Sequence, residues 1–346
     1  KVFVDPTAFV EEKVKISELS AKLGDAVPFE IRHEELKLGY ENWQIDDVLK
    51  AVLPDGLSLS AHTIVGHIAH VNLKAELLPF RFLIGQVLID KIKQCLTVVN
   101  KTDCVKSPFR NLQFEVLAGE KKYLTRVKEN GVAYDLDFSR VFWNSRLGTE
   151  HDRLVHLFDR DDAVFDVFAG VGPFAIPARK RGCTVIANDL NPDCVKWLRH
   201  NCEINKVHVE VHESEADEFL TKQVPVYLKK MLCEGEDHPH PTAIHFIMNL
   251  PAAAVTFLPL FVGLLSDVSD DYMKRKPKFF IHCYTFTNAD DFQADGKEQV
   301  TKALNGWTLE GLSVFRVRDV STRKIMLRVT FLASWRMLKG SKRRDI

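Results

Sequence analysis

The 346-residue chain predicts an α/β fold, a doubly wound Rossmann-like domain preceded by a smaller α+β domain. Three observations carry this. From Ala163 onward, short apolar strands alternate with helical segments, the pattern of a largely parallel sheet. One of those strands runs straight into the turn Gly170-Val-Gly172, and Asp189 ends the next strand 19 positions after Gly170. Residues 56–133 lack that alternation and show apolar segments with polar punctuation instead. At roughly 100–200 residues per domain the length accommodates two domains. The expected division is an N-terminal segment over 1–55 packed on the rest, an α+β domain over 56–145 and the α/β domain over 146–346.

In chain order, residues 13–23 read as an amphipathic helix, and 30–36 as a second. Residues 64–68, 82–92 and 112–117 are the apolar segments of the middle domain, with Gly119 and Gly131 at turns. Strands follow at 164–168, 184–187, 207–211, 244–248, 279–284 and 326–331. Helices are expected through Ala178, from Pro192 to about 204, and over the apolar stretch 252–265. Pro192 sits where a helix's first turn tolerates it. The His238-Pro239-His240-Pro241 run makes 232–242 a loop insertion.

Lys and Arg number 47 against 47 Asp and Glu, so no large positive excess is available to drive nucleic-acid binding. A local basic surface is still compatible with that balance. Hydrophobic residues at 46% and charged residues at 27% exclude collagen-like and wholly disordered chains. The seven cysteines are odd in number and none form a C-x-x-C pair, which argues for free thiols in a reducing compartment and against a structural metal. No apolar stretch reaches the roughly 18–20 residues of a spanning helix, so no membrane association is expected. The chain starts at Lys1, and a leader removed upstream would leave no trace in it.

The run Asp166-Val-Phe168-Ala-Gly170-Val-Gly172-Pro173-Phe174 is the strongest local signal. Its glycines let the chain turn sharply out of the strand and let a ligand approach the backbone. Asp189 stands where a carboxylate can accept ribose hydroxyls. Gly170, Gly172 and Ala175 also fit a nicotinamide fingerprint, and a purely structural turn is the third alternative. Two details favour S-adenosylmethionine. Pro173 removes an amide that would hold a pyrophosphate, and Asp166 offers a carboxylate to an ammonium group. Further on, the strand 244–248 leads into Asn249-Leu-Pro251. At the carboxyl end of a parallel strand Asn249 presents both a donor and an acceptor, suited to a nucleobase edge, and Pro251 fixes the backbone around it.

Taken together, these stretches resemble the eukaryotic and archaeal tRNA (guanine-37-N1)-methyltransferase family. The middle domain carries His67-Ile-Ala-His-Val-Asn-Leu, Leu78-Pro-Phe, Ile84-Gly-Gln-Val, Phe109-Arg-Asn and Phe114-Glu-Val-Leu. Phe138-Ser-Arg-Val-Phe-Trp-Asn-Ser-Arg-Leu-Gly-Thr-Glu-His follows, then the glycine turn, Asn188-Asp-Leu190-Asn-Pro, Asn249-Leu-Pro and His282-Cys-Tyr. The resemblance spans roughly residues 60–290, and its combination is specific where no single motif is.

The resemblance implies methyl transfer from S-adenosylmethionine to N1 of a guanine beside the tRNA anticodon. By it, Glu150 is the general base, Arg110 bonds O6 as negative charge builds there, and Asn249 holds the target base. Asp166, Phe168, Gly170, Gly172, Pro173, Asp189, Leu190, Glu215, Asn249, Pro251 and Phe142 form the cofactor pocket. Relatives have an Asp after the third strand; Glu215 is the aligned residue, with Asp217 as its alternative for the adenine contact. Arg126, Lys128, Arg140 and Arg146 are the expected phosphate contacts, and 179–181 and the tail 339–344 are further basic clusters. The plainer readings are a helix-start acid for Glu150 and a solvated arginine for Arg110. Three rival functions are aminocarboxypropyl transfer from the same cofactor in wybutosine synthesis, a catalytically silent RNA-binding adaptor, and a nicotinamide oxidoreductase. The expected protein is a monomeric tRNA enzyme of cytoplasm, mitochondrial matrix or nucleus.

Overall fold

A computed structural model describes residues 38–102, 113–233, 241–268 and 277–341. The helices expected at 13–23 and 30–36, Arg110, most of the loop 232–242 and the end of the basic tail lie outside the described residues. The chain divides into two units, Lys1–Trp43 and Gln44–Ile346. In the first, the described part is a 3-10 turn, Tyr40–Asn42, whose Asn42 side chain accepts the Gly39 amide at 2.9 Å.

The second unit begins with helix α1, Ile45–Val52, which carries Asp46 and Asp47 in its first turn and buries Val48 and Leu49. Acids there complement the helix dipole. A four-stranded sheet follows in the order β1-β2-β3-β4, from Thr63–Val65, Ile68–Val71, Thr97–Thr102 and Gln113–Gly119. Helix α2, Arg81–Lys91, crosses between the parallel pair β2 and β3. Residues of α1, α2 and this sheet share one core, so Ile45–Leu53 packs with the small domain. Gly119 and Gly131 take φ of +79° and +77°, as the turns require.

Strands β5, Leu124–Glu129, and β6, Val132–Asp137, form a separate antiparallel hairpin. Its buried side chains, Val127, Val132, Tyr134 and Leu136, lie in the same core as the helices of the larger sheet. That core also takes in Val65, Ile68 and Val99 of the small sheet, so the hairpin is packed between the two sheets.

The larger sheet has the order β12-β13-β11-β10-β7-β8-β9. The parallel strands are β7 (Ala163–Asp166), β8 (Thr184–Asp189), β9 (Glu210–Glu213), β10 (Ala243–Met248) and β11 (Lys278–Thr287). β13, Lys324–Leu332, is antiparallel to β11, and β12, Glu310–Ser321, pairs with β13 at the edge. Every residue of the central β10 is buried, as a strand covered on both faces demands. Helices α3 (Gly148–Val155), α4 (Ala175–Lys180) and α5 (Pro192–Ile204) cover one face. The other is covered by α6 (Val224–Cys233), a 3-10 stretch, α7 (Phe292–Ala303) and α8 (Trp335–Lys339).

Three differences from the sequence reading have physical causes. The helix expected over 252–265 is instead a 3-10 stretch, Ala254–Phe261, interrupted by Pro259 and followed by Gly263 at φ +81°. A proline without an amide and a left-handed glycine leave no unbroken α-ladder. The third strand is Glu210–Glu213, about three residues later than its apolar run suggests, because Val207 still closes the end of α5 by bonding the Cys202 carbonyl. β12 and α7 escaped notice. β12 is an edge strand with no fully buried residue, and α7 buries little beyond Gly296 and Val300.

Candidate active site

The chain runs β7-β8-β9 outward on one side, then returns to place β10 on the other side of β7. The carboxyl ends of β7 and β10 therefore flank the crevice where open α/β sheets bind ligands. Asp166 closes β7 at that point. It is fully buried, and neither carboxylate oxygen has a hydrogen-bond partner among the described residues. Burial above all, then the charge of Asp189, push its carboxyl up to about 8. The amides of Phe168 and Ala175 offset part of that rise without being aligned closely enough to bond. Such a group calls for a cationic or hydrogen-donating ligand.

Gly170 and Gly172 leave β7 at φ of +55° and +98°. The two differ in what surrounds them. A Cβ on Gly172 would stand 2.6 Å from Leu198 Cδ1 and 2.9 Å from Ile176 Cδ1, whereas a Cβ on Gly170 would meet nothing within 4 Å among the described residues. Gly172→Ala should therefore destabilise the fold by about 3 kcal/mol in denaturant titration, from overpacking added to left-handed strain. Gly170→Ala should cost only the strain, about 1 kcal/mol. Equal losses at the two positions would show that packing plays no part.

Asp189 at the end of β8 accepts the Gly170 amide at 2.7 Å with one oxygen and the Asn191 amide at 2.9 Å with the other. It staples the glycine turn to its neighbour strand. Sequence reasoning missed Asn188 beside it. Its amide donates to the Val167 and Ser214 carbonyls and its oxygen accepts the Ser214 amide and hydroxyl, tying the ends of β7, β8 and β9 together. Asn191 caps α5 and donates to the Arg140 carbonyl at 3.0 Å, drawing in the loop that carries Phe142. Phe142 is 56% exposed and Leu190 is 36% exposed. Phe168 rests edge-on against Phe257, while Glu215 and Asp217 stand exposed past the end of β9. Asn249, half-buried, follows β10 directly, and Pro251 lies in the turn closed by the Leu250 carbonyl.

Glu150 sits in the first turn of α3 and is only 3% exposed. Its Oε1 accepts the Tyr284 hydroxyl at 2.9 Å and Arg328 Nη1 at 2.6 Å, and its Oε2 accepts Arg153 Nη1 at 2.6 Å. Phe315 of β12 lies beneath both guanidiniums, 4.3 Å from Arg153 and 5.2 Å from Arg328. Burial and the Glu150 charge raise the Tyr284 phenol well above its usual value, so it stays a donor. Tyr284 faces the same core as Ile247, the β10 partner of Asp166. One step before it on β11, Cys283 pairs with Met248, which sets Tyr284 level with Asn249. The sequence pointed to Glu150 but not to its three partners.

The hairpin tip grips the same helix. Glu129 takes the buried His151 ring at 2.6 Å and Asn130 donates to the Gly148 carbonyl at 3.0 Å. Below, Asp162, His245, His282 and Thr330 form a buried chain of bonds of 3.2, 3.1 and 3.0 Å across β10, β11 and β13. Burial first, then the neighbouring His245 and Arg328, hold His282 well below its usual value, so that ring is neutral.

The basic candidates separate. Arg126 is bound by both Asp135 oxygens at 2.6 and 2.7 Å, with Lys128 exposed on the same strand. Arg140 stands 3.5 Å from Asp193, and Arg146 is exposed in the 3-10 turn before α3. Arg179 and Arg181 bind the Cys183 and Phe158 carbonyls, before the amino ends of β8 and β7 and so at the opposite end of the strands from the crevice.

The sheet order, the glycine turn and the buried acid at the switch point define a Rossmann-like methyltransferase domain. A family model described as the TRM5/TYW2 methyltransferase domain matches residues 125–292, and one described as the TYW2 N-terminal domain matches residues 45–122. The chain is 45% identical over 334 residues to the tRNA (guanine(37)-N(1))-methyltransferase of Danio rerio, covering 95% of this chain and 68% of that protein. With the enzyme of that name from Homo sapiens it shares 42% over 337 residues, 95% of this chain and 65% of the relative. It thus spans about two thirds of these relatives' length. It superposes on the crystal structure of Trm5b from Pyrococcus abyssi with a TM-score of 0.67 at 23% identity, covering 94% of this chain and 97% of that one. The chain belongs to the tRNA (guanine(37)-N(1))-methyltransferase family.

Proposed function

We propose that this protein transfers a methyl group from S-adenosylmethionine to N1 of guanosine 37 in tRNA, with Glu150 as general base and Arg110 facing O6. The observation that carries the reading is the buried Asp166 carboxylate at the switch point, which has no hydrogen-bond partner among the described residues. Asp166 would take the cofactor's ammonium, Asp189 its ribose, and Phe142, Phe168, Leu190, Glu215 and Pro251 the walls of its pocket. Gly170 leaves the space that the approach of a ligand to the backbone needs. When bound, S-adenosylmethionine supplies an electrophilic methyl group.

Guanine N1 carries a proton at neutral pH, and that proton must leave as the N1–methyl bond forms. Two guanidiniums and a phenol donate to Glu150 and hold its carboxylate in place as the acceptor for that proton. Oε1 is fully engaged by Tyr284 and Arg328. Among the described residues Oε2 is held by Arg153 alone, whose side chain is 38% exposed, so an entering base gains Oε2 by displacing Arg153 toward solvent. Asn249, level with Tyr284, would fix the base edge, and Arg110 would stabilise charge on O6 as an oxyanion hole does. The target guanine has to leave its stack to reach a carboxylate buried this deeply.

The match of residues 45–122 to a TYW2 N-terminal domain favours a second reading, transfer of the aminocarboxypropyl group. One experiment separates them. Undermodified tRNA is incubated with cofactor labelled in the methyl group or in the carboxyl group, and the product is mapped by mass spectrometry. Methyl label at position 37 is the expected result. Carboxyl label on the RNA would establish the second reading, and tRNA binding without cofactor consumption would leave an RNA-binding adaptor.

A further inference from the structure

The edge strand β12 carries a β-bulge at the point where it passes the Glu150 helix. Phe315 pairs with Arg328 and Arg316 with Leu327, but the next pair is Arg318 with Met326, leaving Val317 as the extra residue. Leu327 and Val314 face Gly296 of α7, and Arg316 reaches Phe292 at the start of that helix. Without the bulge Arg318 would follow them to that side. With it, Arg318 shares the side of Phe315 and Met326 and donates to Asn144 Oδ1 at 3.3 Å. The same oxygen accepts the Arg146 amide at 3.2 Å. Bulges beside functional sites commonly re-aim one side chain in this way.

Two arginines from distant parts of the chain are thereby brought together. Burial first, then the like charge of Arg146, lower the Arg318 guanidinium, with Asp319 opposing. Asp319 is already bound to Arg316 at 2.6 Å. Arg146 forms no side-chain hydrogen bond or ion pair among the described residues. A third positive group, Lys101 of β3, acts with Arg146 on the half-buried His70, which burial and these two charges hold down to about 4. Arg146 is thus near Arg318, with which it shares the Asn144 oxygen, and near His70, four residues ahead of Glu150. Paired guanidiniums of this kind match the planar oxygen pairs of a phosphate.

We propose that Arg146 and Arg318 together grip one phosphodiester group of the RNA, next to the nucleotide whose base enters the crevice. The inference rests on the tRNA substrate proposed above. Nothing in the sequence pointed to Arg318, because the bulge that aims it is a property of the pairing with β13.

The test measures binding of an unmethylated tRNA transcript over a salt series without cofactor, together with steady-state KM values. Arg318→Gln should lower the slope of log Kd against log salt by about 0.7–0.9, the share of one phosphate. It should raise KM for tRNA about 10-fold and leave KM for S-adenosylmethionine within two-fold. Arg146→Gln should do the same, and the double variant should lose no more slope than either single one, since both act on one phosphate. Arg318→Lys should restore the slope, which a role confined to holding Asn144 would not predict. An unchanged slope in both single variants overturns the clamp. So does a rise in KM for the cofactor alone, which would give the pair to the cofactor's carboxylate. Wild-type protein that binds tRNA in a salt-dependent way but never methylates it overturns the proposed chemistry, while the slopes still decide the clamp. Absence of salt-dependent tRNA binding by the wild type overturns both.

Discussion

Glu150→Gln is expected to lower single-turnover methyl transfer about 1,000-fold while tRNA and cofactor still bind, the loss typical of removing a positioned general base. The amide keeps the shape and can still accept from Tyr284 and Arg328, but it cannot take the N1 proton. It also leaves two guanidiniums without their counter-charge, one of them, Arg328, with a side chain only 8% exposed. A fall in stability of about 3 kcal/mol should therefore accompany the loss of rate. The two effects separate by a second substitution. Arg328→Met should reproduce the destabilisation, because it strips the same carboxylate of a partner, yet retain more activity than Glu150→Gln. If Glu150→Gln turned over at a rate within ten-fold of wild type, the proton would have to leave by another route, and the base assignment would fail.

The second large effect is at Asp166 and has opposite signs for stability and for function. In the folded protein its carboxyl holds a proton up to about 8, against 3.8 for an unperturbed group. Between those values the folded state binds the extra proton, so stability falls as pH rises across this window and levels off above it. Asp166→Asn stays neutral throughout. The ligand-free variant should be the more stable protein at pH 8, by on the order of several kcal/mol, and should lose the pH dependence. Its affinity for S-adenosylmethionine should drop about 100-fold, the loss of a buried charge partner. Below pH 8 the wild-type carboxyl must also release its proton to meet a cation. Calorimetry in buffers of different ionisation enthalpy should show close to one proton released per cofactor bound at neutral pH. A variant that bound cofactor within three-fold of wild type would remove Asp166 from the site.

Sequence reading succeeded where the determining contacts are local. The glycine turn, the acid 19 residues on and the proline in the first turn of α5 are short-range features, and they located β7, β8 and the helices α4 and α5 that follow them. Asp166 could be singled out because a carboxylate at the end of an apolar strand is conspicuous in itself. Its isolation was not legible, since that depends on which amides the folded turn aims at it. Glu150 was found through a resemblance, but its partners Tyr284 and Arg328 lie 134 and 178 residues away. Nothing in their neighbourhoods marks them as partners of an acid. Asn188 was passed over for the same reason: it binds across three strands whose adjacency exists only in the sheet. β12 alternates too weakly for its register to be read, because its outer edge faces solvent. The basic run 179–181 shows the converse failure, a conspicuous charge cluster whose arginines are occupied with backbone carbonyls far from the crevice.

The bulge at Val317 has a consequence for how this protein can change over evolutionary time. Outer strands of a sheet ordinarily tolerate insertions and deletions, since a slipped register there disturbs few neighbours. Here the count of residues between Phe315 and Arg318 is itself information. Deleting Val317 would turn Arg318 toward α7 and separate it from Asn144, without altering one residue of the glycine turn or the Glu150 cluster. Length in this strand should thus drift no more freely than composition does in the crevice, even though most of the strand lies against solvent.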